Sequence, residues 1–486
     1  MDAYEKNCKI ERNDKLGRYV IAATNIKAGE TILLESPVII MPTSGEKRCA
    51  NCFKQANKFC SLCHIFLLCD SCNQHNEFDC KLIAQAKNLH IEQLQEHSEI
   101  YGPLKCLLLG ENDETVSYYE MMMQLEAHQE ERRNSDIWLE NKKNIVDPIL
   151  NSGLRELLKH CTTVNEESLQ KICGIIDVNC FEIRAPDDKS MRGIYPKAAL
   201  FAHQCLANTT IAVDDQYQMK IYANCDINEG EMLTICYTSP LLGTDERRQL
   251  LKISKYFHCT CSRCEDPSEL GSHMSSIRCK FCITTPKGPA EGFLTKQRNQ
   301  WRCQLCSHTM DASVVDNMLT LVKEEIFFAK DDLRKYELLI MKLSRIFHRN
   351  HYLIIDLKQN VAAILRTIVM NSACRPGKKV YERKVQLCEE ILQVLRIVQP
   401  YFSRFKAIAL YELYSSFAEL SRLRFGENEL SETADSPLIR TVSKYFIKFF
   451  KSSFVFCHIH IFWSIFFKMV MRLFEVKTFL GALSTF

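Results

Sequence analysis

Cysteine pairs separated by two residues are the clearest chemical feature of this sequence. The chain has 25 cysteines among 486 residues, and the denser groups have the spacing of metal ligands. Zinc takes four thiolate or imidazole ligands in a tetrahedron, and each Cys-x-x-Cys turn directs two thiolates at one ion. The sequence therefore predicts several structural zinc centres.

The first cluster is "CANCFKQANKFCSLCHIFLLCDSCNQHNEFDC", which offers eight ligands and hence two ions. In a cross-braced finger one ion takes Cys49, Cys52, Cys69 and Cys72, and the other takes Cys60, Cys63, His75 and Cys80. Buried apolar cysteines with a surface histidine are the alternative, but small knuckles with few core residues need metal to fold. Among the histidines, His64 is an alternative ligand to His75.

The second cluster has the spacing of a zinc ribbon. Its two Cys-x-x-Cys turns are Cys279 with Cys282 and Cys303 with Cys306, about twenty residues apart. A closed site of four thiolates leaves no open coordination position, so we expect a structural and not a catalytic ion.

The third group, "HCTCSRC", supplies Cys259, Cys261 and Cys264 and lacks a fourth ligand. Spacing alone does not choose among Cys205, Cys225 and Cys236. The remaining cysteines have no ligand spacing and are expected as small core or surface residues. They are 8, 106, 161, 173, 180, 374, 388 and 457.

Composition indicates an ordinary globular chain in a reducing compartment. Hydrophobic residues make up 46% and charged residues 25%, with a net charge of +3, so no basic field suggests nucleic acid. The first residues, "MDAYEKNCKIERNDK", are charged and lack the apolar region of a secretory signal. Clustered thiols then favour metal over disulfides, and we expect the nucleus and cytoplasm.

Several stretches resemble motifs of one family. "GRYVIAATNIKAGETILLESPVI" (17–39) is similar to the opening strands of a SET domain, with its G-x-G-hydrophobic turn and xxGExIxxExP pattern. "VNCFEI" (178–183) resembles TNxFEI, and "YPKAALFAHQCLANTT" (195–210) resembles YPxAALLNHSCxPNT. "EGEMLTICYTS" (229–239) and "ERRQLLKISKYFHCTCSRC" (246–264) resemble the catalytic-tyrosine and post-SET segments.

Together with the eight-ligand cluster, which resembles a MYND finger, these stretches are similar to the SET-and-MYND-domain family of protein-lysine methyltransferases. "HRNHYLIIDLKQN" (348–360) and "PYFSRFKAIALYELYSSFAEL" (400–420) resemble its helical C-terminal region, particularly in the arthropod SmydA branch. The resemblance covers roughly residues 5 to 430.

The resemblance implies an α+β fold: a split SET β-fold with an inserted MYND finger, a post-SET zinc, a zinc ribbon and a TPR-like helical domain. The expected segments are listed here: 1–45 SET N-terminal part, 46–84 MYND finger, 85–175 helical insertion, 176–248 SET core, 249–268 post-SET segment, 269–310 zinc ribbon, 311–430 helical domain, and 431–486 an apolar basic tail.

Site residues follow from the same resemblance. Tyr237 corresponds to the catalytic phenol at the methyl-transfer point, which also contacts S-adenosylmethionine. Arg18, His203 and Phe257 correspond to further cofactor-contacting positions. The list is completed by Phe181 and Lys255 in the substrate-lysine channel, Asn208 at the pseudoknot-like crossing, and Cys205 as the fourth post-SET ligand.

Four positions depart from the family pattern. Ala202 stands where members carry an asparagine whose amide holds the cofactor's amino-acid end, and one lost polar contact costs about 1–3 kcal/mol. Tyr19 replaces the last glycine of the G-x-G turn, and Ala207 replaces a proline. Lys255 replaces a channel tyrosine, where a cation repels a substrate ammonium.

Two functions remain open at this stage. One is a lysine methyltransferase that uses S-adenosylmethionine, holds about four structural zinc ions and acts on histone or non-histone proteins. The other is an inactive SET scaffold that serves as an interaction or transcriptional corepressor adaptor. In both cases we expect a monomer that binds protein partners through the finger and the C-terminal helices. The finger's "HIFLLC" would offer an exposed apolar surface for a proline-rich peptide.

Over residues 312–425 apolar residues recur at helical spacing and predict antiparallel helices of TPR type. They are Leu333, Tyr336, Ile340, Leu343 and Phe347; Leu357, Val361, Ile364 and Ile368; Leu387, Ile391, Val394 and Val398; and Leu410, Leu413, Phe417 and Leu420. From about residue 436 the resemblance stops. That basic, apolar tail is compatible with a membrane-surface helix, a packing helix or a variant terminus, and membrane contact is the least expected of these.

Overall fold

A computed structural model describes residues 3–43, 45–86, 90–158, 164–283, 292–371, 376–401 and 403–426. The chain divides into two compact units that alternate along the sequence. The first contains residues up to 203, then 211–235 and 249–258; the second contains 204–210, 236–248 and the residues from 259 onward. Among the described helices, none combines the length and apolar character needed to cross a bilayer. The predicted apolar tail lies outside the described residues.

Up to residue 258 the described strands are short and form small sheets. Their bounds are β1 Cys8–Asn13, β2 Gly17–Ala22, β3 Thr31–Glu35, β4 Ile39–Pro42, β5 Lys58–Phe59, β6 Leu67–Leu68, β7 Phe181–Arg184, β8 Ser190–Ile194, β9 Ala202–His203, β10 Thr209–Val213, β11 Met219–Ala223 and β12 Thr234–Ile235. The sheet orders are β1-β2, β10-β11-β3, β4-β8-β7, β5-β6 and β12-β9.

The first hairpin shows why the local sequence forms these strands. Gly17 has a φ of 66°, a left-handed conformation that glycine adopts without steric cost, and it follows directly on the turn between β1 and β2. Along β2, Val20 and Ala22 are fully buried while their neighbours are half-buried, the alternation expected of a strand with one face on a core. The antiparallel register pairs Glu11 with Tyr19.

Helices fill much of the sequence between the strands up to residue 258, nearly all of it in the first unit. Their bounds are α1 Ala3–Asn7, α2 Glu77–Ala84, α3 Ile91–Glu96, α4 Tyr101–Gly110, α5 Val116–Met123, α6 Gln129–Arg132, α7 Asp136–Asn141, α8 Asp147–Asn151, α9 Glu166–Asn179 and α10 Thr244–Lys255. Helix α9 begins with a capping box in which Asn165 and Ser168 each bond the other's backbone amide. Its apolar face, including Leu169, Ile172 and Ile176, enters the core.

Two glycines permit close packing in this unit. A Cβ on Gly174 of α9 would lie 2.5 Å from the carbonyl oxygen of Ala127, so the loop before α6 rests directly on the helix backbone. A Cβ on Gly193 of β8 would lie 2.7 Å from the Tyr195 ring. Both contacts need the absence of a side chain.

The second unit combines a small antiparallel sheet with long helices. Its strands, in the sheet order β13-β14-β15-β16, are β13 Ile277–Arg278, β14 Phe293–Gln297, β15 Gln300–Cys303 and β16 Thr309–Asp311. Its helices are α11 Ser262–Glu265, α12 Lys280–Ile283, α13 Ala312–Phe328, α14 Leu333–Leu343, α15 Tyr352–Asn371, α16 Lys378–Val398 and α17 Arg404–Gly426.

The predicted helical C-terminal region is confirmed, and with it the α+β class. Periodic residues such as Leu343, Val361, Val394 and Leu413 are fully buried in one shared core. Helix α13 lies within the predicted helical region, but none of the periodic residues named for that region falls on it, and several of its long apolar side chains are exposed. Leu321, for example, is 67% exposed.

Two histidines in the second unit are held in their neutral form. Burial lowers the pKa of His348 to about 4, helped by the nearby His273, Arg349, Arg278 and Lys358, and lowers that of His351 to about 3. The unfolded chain takes up these protons near pH 6.5. The stabilisation is therefore complete above pH 6.5 and is lost as the pH falls towards 4.

We predict that His348→Asn flattens the acid side of the stability profile. Asparagine keeps an acceptor for the amide of Asn350, which now bonds Nδ1 of His348 at 3.1 Å, but it does not titrate. Melting temperatures at pH 7.5 and pH 5.5 should differ less in this variant than in the parent chain. His90→Asn, a change of an exposed histidine, serves as the control. Equal losses in all three proteins would contradict the prediction.

Candidate functional site

In the described part of the chain, potential metal ligands converge in four groups, which match the four predicted sets. Within each group the ligand atoms all lie within 4.8 Å of one another. The group that lacked a ligand is completed by Cys205, whose sulfur lies 3.5 Å from that of Cys264 and 4.0 Å from that of Cys259. Thiolates bound to one zinc ion at about 2.3 Å are roughly 3.8 Å apart, so the spacing suits zinc. Cys236 points elsewhere, because its thiol donates to the Thr238 carbonyl at 3.1 Å.

The finger gathers two of these groups in the cross-braced order. The sulfurs of Cys52 and Cys69 are 3.5 Å apart in one group. In the other, Nε2 of His75 lies 3.3 Å from the Cys63 sulfur. His75 is buried and burial lowers its pKa, which keeps the ring neutral as a ligand must be, whereas His64 is exposed.

The prediction that the finger exposes an apolar surface at "HIFLLC" is wrong. Ile65, Phe66 and Leu68 are buried, and the Phe66 ring packs edge-on against His75 and Tyr101 at 4.9 and 5.2 Å. A finger of this size has few other core residues, so these apolar side chains form its core and Phe66 packs against the predicted zinc ligand His75. The segment "HIFLLC" therefore does not present the exposed apolar surface that was expected.

In the ribbon, Cys279 and Cys306 approach to 3.5 Å, and Cys282 and Cys303 approach to 3.6 Å. These separations far exceed a disulfide bond of about 2.05 Å, so the thiols are reduced and free to bind a metal. Gly292 makes room for the group, since a Cβ there would lie 2.4 Å from the Cys282 sulfur.

A parallel strand pair brings together predicted cofactor residues in the first unit. Strands β9 and β12 pair Ala202 with Thr234 and His203 with Ile235, although the segments are about thirty residues apart in sequence. The Phe257 ring lies 5.9 Å from the His203 ring, and both are half-buried. Tyr237 follows two residues after Ile235, and burial raises the pKa of its phenol, which keeps it neutral at ordinary pH.

The residues predicted for the lysine channel, Phe181 and Lys255, lie near the end of α9. Lys255 donates from Nζ to the carbonyl of Val178, in the last turn of that helix. Helix C-termini carry unsatisfied carbonyls and partial negative charge, so the cation is stabilised there. Burial lowers the pKa of Lys255. Phe181 directly follows in β7, where its ring contacts the Tyr195 ring edge-on at 5.8 Å.

A loop at residues 124–128, which the sequence analysis missed, links several of these positions. The Arg18 guanidinium donates to the carbonyl of Gln124 at 2.6 Å and to its side-chain oxygen at 3.2 Å. The Asn179 amide donates to the Glu126 carbonyl at 2.8 Å, and the His128 ring lies 4.9 Å from the Tyr256 ring. No sequence motif marks the loop. Its clearest structural sign is the left-handed φ of 50° at His128.

An open cavity of about 600 Å³ adjoins this loop. Its lining includes Arg12, Arg18 and Lys171 together with Glu126 and Glu130. Of the predicted cofactor residues in the described chain, Arg18 lines it, while His203 and Phe257 do not.

Tyr19 does not disturb the backbone at the G-x-G position. It lies in β2, paired with Glu11, and its φ is not positive. Extended backbone is open to any residue, so this part of the expected damage is absent. Only the bulk of the phenol ring distinguishes it from glycine.

Glu35 is a second residue that the sequence analysis did not single out. Its carboxylate accepts the backbone amides of Lys197 at 2.8 Å and of Ala198 at 2.9 Å. Those amides begin the turn Ala198–Leu200, which leads into β9. The ExP part of the SET-like pattern contains this glutamate, so the signal was present in the sequence. Its role is to fix the entry to His203.

A family model described as the SET domain matches residues 17–238. SmydA-8 of Drosophila melanogaster is 24% identical over 346 residues, which cover 66% of this chain and 70% of that protein. Human histone-lysine N-methyltransferase SMYD3 is 25% identical over 53% of this chain and 61% of its own length. A solved SET domain of LSMT bound to lysine and AdoHcy aligns with a TM-score of 0.30 at 11% identity, covering 89% of this chain and 92% of that chain.

These matches define the chain as a SET-domain protein. In the described residues it contains four groups of metal ligands and a helical C-terminal region, and in sequence it is similar to SET and MYND domain-containing proteins such as SmydA-8 and SMYD3.

We predict that Cys205→Ser removes one zinc ion from a chain that otherwise binds about four. Serine is a far poorer zinc ligand than thiolate, so the remaining three cysteines should not retain the ion. Inductively coupled plasma mass spectrometry on purified protein measures the metal-to-chain ratio. Cys236→Ser is the matched control and should leave the ratio unchanged. A ratio unaffected by Cys205→Ser would contradict this ligand set.

We predict that Glu35→Ala lowers the free energy of unfolding by about 2 kcal/mol, because two backbone amides lose a charged acceptor. Glu35→Gln keeps one acceptor oxygen and should lose about half as much. Denaturant melts of both variants measure the effect, with the exposed Glu182→Ala of β7 as the control. Equal stability of Glu35→Ala and the control would show that the turn before β9 is held by other contacts.

Proposed function

We propose that this protein is a protein-lysine N-methyltransferase that uses S-adenosylmethionine. The observation that carries the proposal is the parallel pairing of β9 with β12. It sets His203 beside the strand that leads, two residues later, to Tyr237, and Phe257 lies next to the same histidine. The pairing thus joins the segment of His203, the proposed cofactor contact, to the strand that precedes Tyr237, the proposed catalytic phenol, although the two segments are about thirty residues apart.

The relatives support this assignment by their names. Human SMYD3 and ASHR1 of Arabidopsis thaliana are both described as histone-lysine N-methyltransferases. We extend that class of substrate to this chain as lysine side chains of proteins, either histones or others. The finger and the C-terminal helices are proposed to contact further protein partners.

The residues present fit the cofactor in part. The half-buried rings of His203 and Phe257 provide an aromatic surface of the kind on which an adenine base rests. Ala202 offers a methyl group where relatives of the family carry an amide, so one polar contact is missing. When bound, S-adenosylmethionine supplies the electrophilic methyl group.

The protein's own contribution is orientation and electrostatics. Tyr237 remains a neutral phenol, because burial raises its pKa, and its oxygen can accept weak polar contacts around the reacting methyl group. Phe181, held by the ring of Tyr195, gives an aromatic wall to the lysine channel. Lys255 is directed to the Val178 carbonyl, which reduces its repulsion towards a substrate ammonium.

Ala202 favours a second candidate function. A SET domain that has lost the cofactor amide would serve as a scaffold, and the protein would act through its finger as an interaction or corepressor adaptor. The two functions differ in whether the chain binds the cofactor at all.

We predict that Ala202→Asn tightens binding of S-adenosylhomocysteine by about 1–3 kcal/mol, which is roughly 5- to 150-fold in affinity. Titration calorimetry on zinc-loaded, full-length protein measures the affinity. Tyr237→Phe in the restored protein should abolish methyl transfer to core histones or other lysine-rich proteins with little loss of affinity, because the phenol acts on the transition state.

Lack of binding by both the parent chain and Ala202→Asn would overturn the enzymatic proposal and favour the scaffold. Measurable affinity in the parent chain, unchanged by the added amide, would instead show that the missing asparagine is compensated elsewhere. Ala207→Pro, a reversion at a position without a proposed polar contact, is the matched control and should not change affinity.

A further inference from the structure

The zinc group around Cys205 has a buried arginine in contact with its sulfurs. Arg247 of α10 places Nε 3.3 Å from the Cys205 sulfur and Nη2 3.4 Å from the Cys264 sulfur. Its side chain has 0% exposure. One guanidinium therefore donates to two of the four ligands in a setting from which water is excluded.

The same guanidinium belongs to a buried charge cluster. Arg247 and Arg263 both bind Oε2 of Glu269, at 2.9 and 3.0 Å, and the carboxylate is 2% exposed. The other oxygen, Oε1, accepts the Ser275 hydroxyl at 2.5 Å and the Thr244 amide at 3.2 Å. Both oxygens of the buried carboxylate are thus paired with donors, as a buried charge requires.

Charge explains why the cluster lies beside this metal site. Zinc with four thiolates carries a net charge of minus two, and burial of such an ion in protein is costly unless opposite charge accompanies it. The two guanidiniums and the one carboxylate together contribute a single positive charge. Hydrogen bonds from a cation to a thiolate also draw electron density away from sulfur.

The sulfurs of the other zinc groups have different surroundings. Cys72 in the finger receives the neutral amide of Asn51 at 3.4 Å. Cys303 in the ribbon receives the backbone amide of Leu305 at 3.4 Å, and its fellow ligand Cys306 is exposed to solvent. Neutral donors balance less of the thiolate charge, and an exposed sulfur is open to reagents.

The arginines also anchor the chain that follows Tyr237. Arg247 donates to the Leu242 carbonyl at 2.5 Å and to the Thr244 hydroxyl at 3.0 Å. Arg263 donates to the Pro240 carbonyl at 2.8 Å. The cluster thereby ties the metal ligands to residues 240–244.

We propose that Arg247 is the charge-balancing and positioning residue of this zinc centre. By donating to Cys205 and Cys264 it makes the centre the slowest of the four to lose its metal and to react with electrophiles. The inference rests on the zinc site and does not depend on methyltransferase activity.

Differential alkylation tests the proposal on full-length, zinc-loaded protein. Iodoacetamide is added with a chelator, and peptide mass spectrometry follows each of the four ligand groups over time. In the parent chain the peptides of Cys205 and Cys264 should be modified last. In Arg247→Gln their modification should accelerate about tenfold or more, the effect of losing a charged hydrogen bond, while the other three groups keep their rates.

Arg248→Gln is the matched control. It removes the same charge from the next position of α10, but Arg248 contacts the Cys259 carbonyl at 3.0 Å and the exposed Glu265, and no sulfur contact accompanies these bonds. Its effect on the modification of Cys205 should stay below about twofold.

Arg247→Lys keeps the positive charge but loses the planar guanidinium that donates to both sulfurs. It should therefore accelerate alkylation by an intermediate amount, and only at Cys205 and Cys264. This variant decides the matter if Arg247→Gln does not fold. Rates in Arg247→Lys equal to those of the parent chain, or equal acceleration by Arg247→Gln and Arg248→Gln, would overturn the proposal. So would a parent chain in which these cysteines react first.

Discussion

The structure depends on cysteine thiolates that come together in groups, each able to bind one metal ion. Each of the four groups places its ligands within 4.8 Å of one another. In the finger the run from residue 49 to residue 80 has few core residues of its own, so ligand bonds replace a core. In the group around Cys205 they do more, because they connect Cys205 to ligands 54 and 59 positions further along the chain.

The sequence predicts those ligand sets whose cysteines lie close together in the chain. It does not by itself predict ligands or packing contacts between residues that are far apart in sequence. A Cys-x-x-Cys turn is self-contained, so the finger and ribbon sets follow from the sequence alone. Cys205 has no such partner, and only its resemblance to a family motif selected it. The choice of His75 over His64 and the burial of Phe66 both depend on packing, which a ligand pattern does not encode. The helices after residue 330 were predictable because their buried stripes are long and regular.

In the candidate active site, too, the sequence motifs and the three-dimensional contacts lead to different conclusions about individual residues. Tyr19 looked damaging as a motif change, but within a paired strand its backbone is ordinary. Lys255 looked repulsive as a channel residue, but the end of α9 offers it a carbonyl. Glu35 acts through backbone amides 162 and 163 positions away, a relation that no local pattern reveals. Ala202 alone remains a loss that the structure does not offset.

The alternation of the two units along the chain has a consequence for how the protein is made. Neither unit is a continuous segment, and the first is incomplete until residue 258 has been synthesised. At about 5–20 residues per second, Cys205 leaves the ribosome several seconds before Cys259 and Cys264 follow it. During that interval the other three ligands of its group have not yet been synthesised. The nascent chain must therefore keep this cysteine reduced and uncommitted, and expression as two separate fragments would divide the ligand set before it could assemble.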